Sequence, residues 1–221
     1  MFALGLAPGS VGLADETTAP VGPLERVKAS VSRVLAIVKA WPMGSNERHT
    51  GIVRVSRDLF DVNEMARRAL GQHWQGLSRT EQEEFVRLFT DVLDRSFIAG
   101  MDGYTNEKVA FLGEEIDGAW AQVRSRVITN RGAGIAVDYR LFESDARWAV
   151  YDVVWDHVSV VANYRSQFNS VIRTSSFAEL LKRMRTERAG LSEPIAHVPL
   201  IRERLAAGLL LAVITRYASP K

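Results

Sequence analysis

Several residue types that would indicate a particular chemistry are missing from this 221-residue sequence. It contains no cysteine, which excludes disulfides, thiolate catalysis and cysteine-ligated zinc or iron–sulfur sites. No apolar run approaches the roughly 18 residues that a membrane-spanning helix needs. The formal net charge is only +2, so the chain as a whole lacks the strongly basic surface of a nucleic-acid-binding domain.

The sequence motifs of common enzyme classes are missing as well. There is no nucleophile elbow, no Walker sequence and no nicotinamide fingerprint, and the glycines at 132 and 134 lie between two predicted strands rather than before a helix. The four histidines are far apart and form no metal-binding spacing: His49, His73, His157 and His197. We therefore expect no metal, no cofactor and no catalytic centre.

The composition is that of an ordinary globular protein with distinct ends. Hydrophobic residues make up 47% and charged residues 24%. Residues 1–22 lack Lys and Arg, and we interpret them as the remnant of a secretory signal peptide or as a disordered tail. Residues 23–189 are predicted to form one domain. Residues 190–221 are expected to form an extension broken by Pro194 and Pro199, with a short apolar helix that packs on the domain, lies at a membrane surface or covers the mouth of the domain.

Helical spacing of apolar residues precedes and follows a central strand region. One amphipathic helix is predicted from Pro23 to about Trp41, and a second opens at Asp61. The strongest opens at a capping box that begins with Ser78, and its apolar stripe is unusually aromatic. Two more helices are predicted over residues 160–172 and from Ser176 to about 184.

Between the helices the period changes to two. Apolar and polar residues alternate over four runs near residues 109–111, 123–127, 137–141 and 151–153. Asp117-Gly118 predicts a type I′ hairpin turn. The sequence therefore predicts an α+β fold in which a four-stranded antiparallel meander packs against the N-terminal and C-terminal helices.

Two acidic residues in the predicted strands are the best candidates for a general base. Asp138 and Asp152 are expected on the face opposite Tyr139 and Tyr151. We interpret that face as solvated and shared with arginines, which leaves no convincing catalytic constellation.

Both layers direct an unusual number of large apolar side chains inward. These side chains form either a filled core or the wall of a cavity, and periodicity does not distinguish the two. They are Phe85, Phe89, Phe97, Val109, Phe111, Val137, Tyr139, Tyr151, Val153, Trp155, Tyr164 and Phe168.

An ordered set of short strings carries a family resemblance. They are FDVNEMARRALGQHW at 60–74, EF at 84–85, VDYR at 137–140, VYDV at 150–153, VS at 158–159 and NYRSQF at 163–168. In this order, from about residue 24 to about residue 188, the sequence resembles the toluene-tolerance or MlaC family of periplasmic phospholipid-binding proteins.

The resemblance implies a cone-like α+β fold that encloses a deep apolar lipid cavity. The inward residues above would then form the cavity wall together with Tyr104, Val127 and Val161, and Arg165 and Arg173 would meet a head group or a docking partner. It also implies a periplasmic carrier that helps to maintain outer-membrane lipid asymmetry. Its partners would be phospholipid, an inner-membrane ABC lipid-transport complex with a lipid-binding ring protein, and an outer-membrane lipoprotein–porin complex.

Two other classes of function remain open at this point. An isomerase-like or dehydratase-like enzyme on a cone-shaped fold would need an acid or histidine that projects into the pocket. A protein–protein adaptor would have no cavity at all.

Overall fold

The chain runs through helices, then a sheet, then helices, as the sequence predicts. The computed structural model describes residues 21–102, 104, 106–128, 134–145 and 147–188. The predicted leader or tail, apart from residues 21–22, and the predicted 190–221 extension lie outside these described residues. The elements are α1 (Pro23–Ala40), α2 (Asn46–Leu59), α3 (Val62–Leu70), a short 3₁₀ helix (Gly71–Gly76), α4 (Arg79–Asp102), β1 (Lys108–Asp117), β2 (Trp120–Ile128), β3 (Gly134–Ser144), β4 (Arg147–Trp155), β5 (Val158–Ser159), α5 (Val160–Thr174) and α6 (Phe177–Arg188).

The strands form one antiparallel sheet in the order β1-β2-β3-β4-β5. This confirms the α+β meander, to which the two-residue strand β5 is added at the edge of β4. The β1–β2 turn differs from the prediction by one residue. Asp117 pairs with Trp120, so Gly118 and Ala119 are the central residues, and of the two only Gly118 has a positive φ, at 55°. That combination belongs to a type II′ turn rather than type I′.

Side-chain caps begin the predicted helices where the sequence places them. The Ser78 backbone N–H donates to the Glu81 carboxylate at 2.8 Å, and the Glu81 N–H donates to the Ser78 hydroxyl at 3.3 Å. The Asp61 carboxylate accepts from the Glu64 N–H at 2.9 Å, before α3. These bonds satisfy amide groups that have no partner within the helix, which fixes where each helix begins.

Helix α2 has no counterpart in the sequence prediction. Its buried residues are Arg48, Ile52, Val55 and Leu59, which lie at helical spacing but include only three apolar side chains. An arginine on the buried face weakens the apolar stripe by which an amphipathic helix is recognised.

The buried arginine of α2 is held by backbone carbonyls at the ends of two other helices. The Arg48 guanidinium donates to the carbonyls of Val38 at 3.0 Å, Trp41 at 3.2 Å and Met101 at 2.7 Å. It also lies 3.3 Å from the Asp102 carboxylate. Since these carbonyls belong to the C-terminal ends of α1 and α4, Arg48 fastens the α1–α2 hairpin to α4.

Strand pairing defines an inner and an outer face of the sheet. Val123, Tyr139 and Val153 lie side by side on the inner face, toward the helices. A bulge in β4 interrupts the alternation: Arg140 pairs with Asp152 and Leu141 pairs with Val150, so the residue between has no partner on β3.

The bulge overturns the expected direction of Tyr151. Its ring packs on the outer face against Trp120 at 5.5 Å and Phe142 at 6.2 Å between ring centroids. The guanidinium of Arg68 lies 4.0 Å from the centre of the Tyr151 ring. Tyr151 is therefore part of an outer aromatic cluster and was wrongly predicted to line the inside.

Asp138 and Asp152 lie on the face opposite Tyr139, as predicted, but this outer face also carries Tyr151, and Asp152 is not solvated. It is only 3% exposed. Its carboxylate accepts from the Ser159 hydroxyl at 2.7 Å, the Val161 N–H at 3.1 Å and the Arg140 guanidinium at 3.1 Å. These bonds join β3, β4 and the start of α5, so the buried carboxylate has a structural role.

Replacing Asp152 with alanine should destabilise the fold by about 2–4 kcal/mol, because the buried Val161 N–H and Ser159 hydroxyl lose their acceptor. Asp138→Ala, which removes the acceptor of a 3.1 Å bond from the half-buried Gln122 amide, should cost about 1 kcal/mol. Urea unfolding of the two variants measures the difference. Equal losses of stability would contradict this assignment.

Candidate functional site

A hollow space lies between the α1–α2 hairpin and the inner face of the sheet. Its volume is about 60 Å³, counted as the space open to the centre of a water molecule. The lining is predominantly apolar. It is formed by Ser30, Val31, Val34, Leu35, Val55, Ser56, Leu59, Phe60, Phe97, Tyr104, Glu107, Val109, Val127, Val137, Tyr139, Val153 and Trp155.

Small side chains account for the hollow. The hairpin contributes Val34 and Val55, and the strands opposite contribute Val127, Val137 and Val153. A valine side chain extends only to its γ-methyl groups, so facing valines leave a gap where longer or aromatic residues would fill the space at the usual interior density.

The other part of the helical layer is filled by aromatic rings. Phe89 packs against Tyr164 at 5.1 Å, and Phe85 against Phe168 at 5.5 Å, between ring centroids. These four side chains are buried in the main core and do not line the cavity. The interior is therefore filled beneath α4 and α5 and hollow beneath the α1–α2 hairpin.

The predicted wall residues divide accordingly. Eight of them line the cavity: Phe97, Tyr104, Val109, Val127, Val137, Tyr139, Val153 and Trp155. Six pack in the main core without lining it: Phe85, Phe89, Phe111, Val161, Tyr164 and Phe168. Tyr151 lies on the outer face. A role for any of them in lipid binding stays a prediction.

Sequence reasoning did not assign the hairpin's side of the wall. Val31, Val34 and Leu35 belong to the recognised apolar stripe of α1, which could have indicated them, but α2 with Val55 and Leu59 was not predicted. The structure also adds Ser30, Ser56, Phe60 and Glu107.

Polar groups of the lining are concentrated where β1 begins. The Tyr104 hydroxyl donates to the Glu107 carbonyl at 3.1 Å. Burial, together with the nearby negative charge of Glu107, raises the pKa of Tyr104. Burial also raises the pKa of Tyr139, to about 12. Both phenols are therefore uncharged at physiological pH, which suits a wall that faces apolar groups.

The two arginines proposed for a head group lie elsewhere. Neither Arg165 nor Arg173 lines the cavity; both belong to α5. The Arg165 guanidinium donates through Nε to the Arg68 carbonyl at 2.8 Å, near the end of α3. A docking role for these arginines stays a prediction.

The geometry bears on the two alternative functions. Asp138 and Asp152 face away from the cavity, so neither candidate general base reaches it. The acidic residue that does line the cavity is the buried Glu107. Within the described residues, no group of three His, Asp or Glu side chains is placed to hold a metal ion. The adaptor hypothesis predicts no cavity, and a cavity is present.

The fold and cavity define a class of protein: a small α+β protein in which an antiparallel sheet and a helical layer enclose an apolar space. The chain belongs to the MlaC family, because the model of the MlaC protein family matches residues 28–186. This confirms the resemblance carried by the sequence motifs. Among the described residues, none of the helices has the length and apolar character needed to cross a bilayer.

Two relatives give the comparison in detail. The intermembrane phospholipid transport system binding protein MlaC of Haemophilus influenzae is 21% identical over 133 residues, which cover 58% of this chain and 61% of that protein. The structure of a phospholipid-binding protein from Ralstonia solanacearum, solved in complex with a phospholipid, is similar with a TM-score of 0.69 and 25% identity. That match covers 78% of this chain and 100% of the Ralstonia chain.

A predominantly apolar cavity of this kind should take up small apolar atoms such as xenon, because its valine and aromatic walls offer water few hydrogen-bond partners away from the start of β1. Methyl NMR under xenon should shift the signals of Val34, Val127 and Val137. Val123 is fully buried and lies on the same strand as Val127, but it does not line the cavity, so its signal should stay in place. Shifts at Val123 alone, or at none of these valines, would contradict the position of the cavity.

Proposed function

We propose that this protein binds phospholipid non-covalently and carries it between membranes without chemical change. The observation that carries the proposal is the apolar cavity between the α1–α2 hairpin and the sheet, in a chain of the MlaC family. The Haemophilus relative is named as a phospholipid transport binding protein, and the Ralstonia structure holds a phospholipid.

The need for such a carrier follows from the cost of hydrating acyl chains. Exposing one methylene group to water costs about 0.8 kcal/mol, so the acyl chains of one phospholipid meet a barrier on the order of 20 kcal/mol when they leave a membrane. A protein cavity that shields the chains removes most of this barrier. Acyl chains offer only shape and apolarity to recognise, and a wall built of valines and aromatic rings matches that chemistry.

The cavity must widen to accept a lipid. Its volume of about 60 Å³ has room for on the order of five water molecules, far less than one acyl chain occupies. The hairpin is fastened to α4 by Arg48 at one end, and at the other end the Leu24 N–H donates to the exposed Glu114 carboxylate of β1 at 2.6 Å. Separation of the hairpin from the sheet would enlarge the space without disturbing the aromatic core.

The setting of the carrier also belongs to the proposal. We place it in the periplasm, where it shuttles lipid between an inner-membrane ABC complex with its lipid-binding ring protein and an outer-membrane lipoprotein–porin complex, and so maintains outer-membrane lipid asymmetry. The exposed Arg173 on α5 is a candidate contact with one of these complexes. The absence of cysteine suits an oxidising compartment, where a free thiol is a liability.

Native mass spectrometry with lipid extraction tests the proposal. Protein purified gently from a Gram-negative host should carry glycerophospholipid in a defined stoichiometry, with intact acyl chains. Lipid-free protein would contradict the carrier function, and release of a modified lipid or small molecule would favour an enzyme.

Two neighbouring substitutions on β2 show whether the cavity is the binding site. Val127→Trp places an indole in the cavity; it would displace at least two ligand methylenes, at about 0.8 kcal/mol each, so lipid affinity should fall by roughly tenfold. Ile128→Trp is the matched control, because Ile128 lies on the outer face and is 37% exposed. Both variants should unfold cooperatively in urea. Equal lipid content in both would place the lipid outside this cavity.

A further inference from the structure

Phe60 lies where two parts of the hydrophobic core meet. It follows α2 and is half-buried, and its ring contacts the main core of α3, α4, α5 and the sheet. It also contacts a smaller core made by α1, α2 and α4. Within the described residues, Phe60 packs against both cores. Phe60 is the first residue of the family motif at 60–74, and the sequence predicted no role for it.

Three spaces adjoin the Phe60 ring. The first is the cavity. The second is a small, mostly apolar pocket of about 20 Å³ beneath α3, lined by Met65, Leu93 and Val160 among others, with Ser56 and Asp94 as its polar residues. The third is an open groove at the surface with Arg57, Arg87 and Arg147 on its sides, and Phe60 lines all three.

Residues that line two neighbouring spaces form the wall between those spaces. The cavity and the small pocket have Ser56, Phe60, Phe97 and Val153 in common. The small pocket and the groove have Phe60 and Val62 in common. The rings of Phe60 and Phe97 meet edge to face at 6.1 Å between centroids, so this aromatic pair forms part of the wall between the cavity and the small pocket.

The backbone at Phe60 is fixed on both sides. The Phe60 N–H donates to the Ser56 carbonyl at 2.9 Å, and the next N–H, of Asp61, donates to the Val150 carbonyl on β4, also at 2.9 Å. The side chain can therefore rotate without breaking either of these hydrogen bonds. Rotation of the ring about its Cα–Cβ bond would join the cavity to the small pocket while the helices stay in place.

We propose that Phe60 is a specificity-determining residue of the lipid site: its ring ends the cavity and so limits the length of acyl chain that the protein holds. The inference rests on the proposed phospholipid-binding function. In its present position the ring also separates the apolar cavity from the polar surface groove. When the ring turns, the end of an acyl chain meets Met65, Leu93 and Val160, whose apolar side chains suit it, whereas the arginine-lined groove does not.

The test compares acyl-chain preference in variants of the full chain. Wild-type protein and variants are loaded from a mixture of phosphatidylglycerols that share one head group and differ in chain length from myristoyl to arachidoyl, and bound lipid is identified by native mass spectrometry. Phe60→Ala should shift occupancy toward longer chains by about fourfold for each further methylene buried. Phe60→Trp should shift occupancy toward shorter chains.

Phe142→Ala is the matched control, because it removes an equal ring from the outer aromatic cluster, where Phe142 packs against Trp120 at 6.0 Å. It should keep the wild-type preference. Should Phe60→Ala fail to fold, Phe60→Leu and Phe60→Trp still give opposite shifts. If the wild type carries lipid and all Phe60 variants show its chain-length profile, the role of Phe60 is overturned while the carrier function stands. Absence of phospholipid from every form would overturn the carrier function and this inference with it.

Discussion

The inner face of one antiparallel sheet has to be kept from water, and two different groups of helices cover it. Burial of apolar surface contributes about 25 cal/mol for each Å² and is the main source of stability. Helices α4 and α5 meet this requirement with interlocking rings such as Phe85, Phe89 and Phe168. The α1–α2 hairpin meets it with valines, which exclude bulk water without filling the space.

The aromatic part of the core therefore supplies stability, and the valine-lined part leaves room for a ligand. A void of about 60 Å³ costs on the order of 1–2 kcal/mol relative to a filled interior, from the slope of about 24 cal/mol per Å³ found for core cavities. The aromatic part of the core can offset such a cost. A bound acyl chain would remove it, so ligand binding and stability should be linked in this fold.

Two buried charged side chains, Arg48 and Asp152, hold together the elements around the cavity without lining it. Arg48 satisfies three carbonyls at the ends of α1 and α4, and Asp152 accepts bonds that join the sheet to α5. Each charged group is enclosed among polar partners and lies away from the cavity lining. Glu107 is the exception: it is a buried carboxylate in the wall beside Tyr104, and it is the charged residue of a lining whose other polar groups are mainly hydroxyls.

Local rules of sequence predict a large share of this fold. The capping box at Ser78 and the alternation of the strands depend on neighbouring residues, and both are confirmed. Helix α2 was missed because its buried Arg48 depends on the Met101 carbonyl, 53 residues away in the sequence. Tyr151 was misplaced because a bulge changes the alternation without any local signal.

The candidate site was predictable only in part, for a different physical reason. Periodicity tells which way a side chain points, and Val137 and Phe89 both point inward. Periodicity does not tell which groups a side chain meets. Val137 borders the cavity, whereas Phe89 packs against the ring of Tyr164. The family motifs indicated a cavity; its position under the α1–α2 hairpin required the packed structure.

The central claim is that acyl chains occupy the space between the α1–α2 hairpin and the sheet. Photo-crosslinking with a phospholipid that carries a diazirine on its acyl chain, followed by mass-spectrometric mapping, tests it most directly. The account predicts adducts on cavity-lining residues such as Val34, Leu59 and Val137. Adducts confined to the outer aromatic cluster at Trp120 and Tyr151, or to the surface of α5, would contradict it.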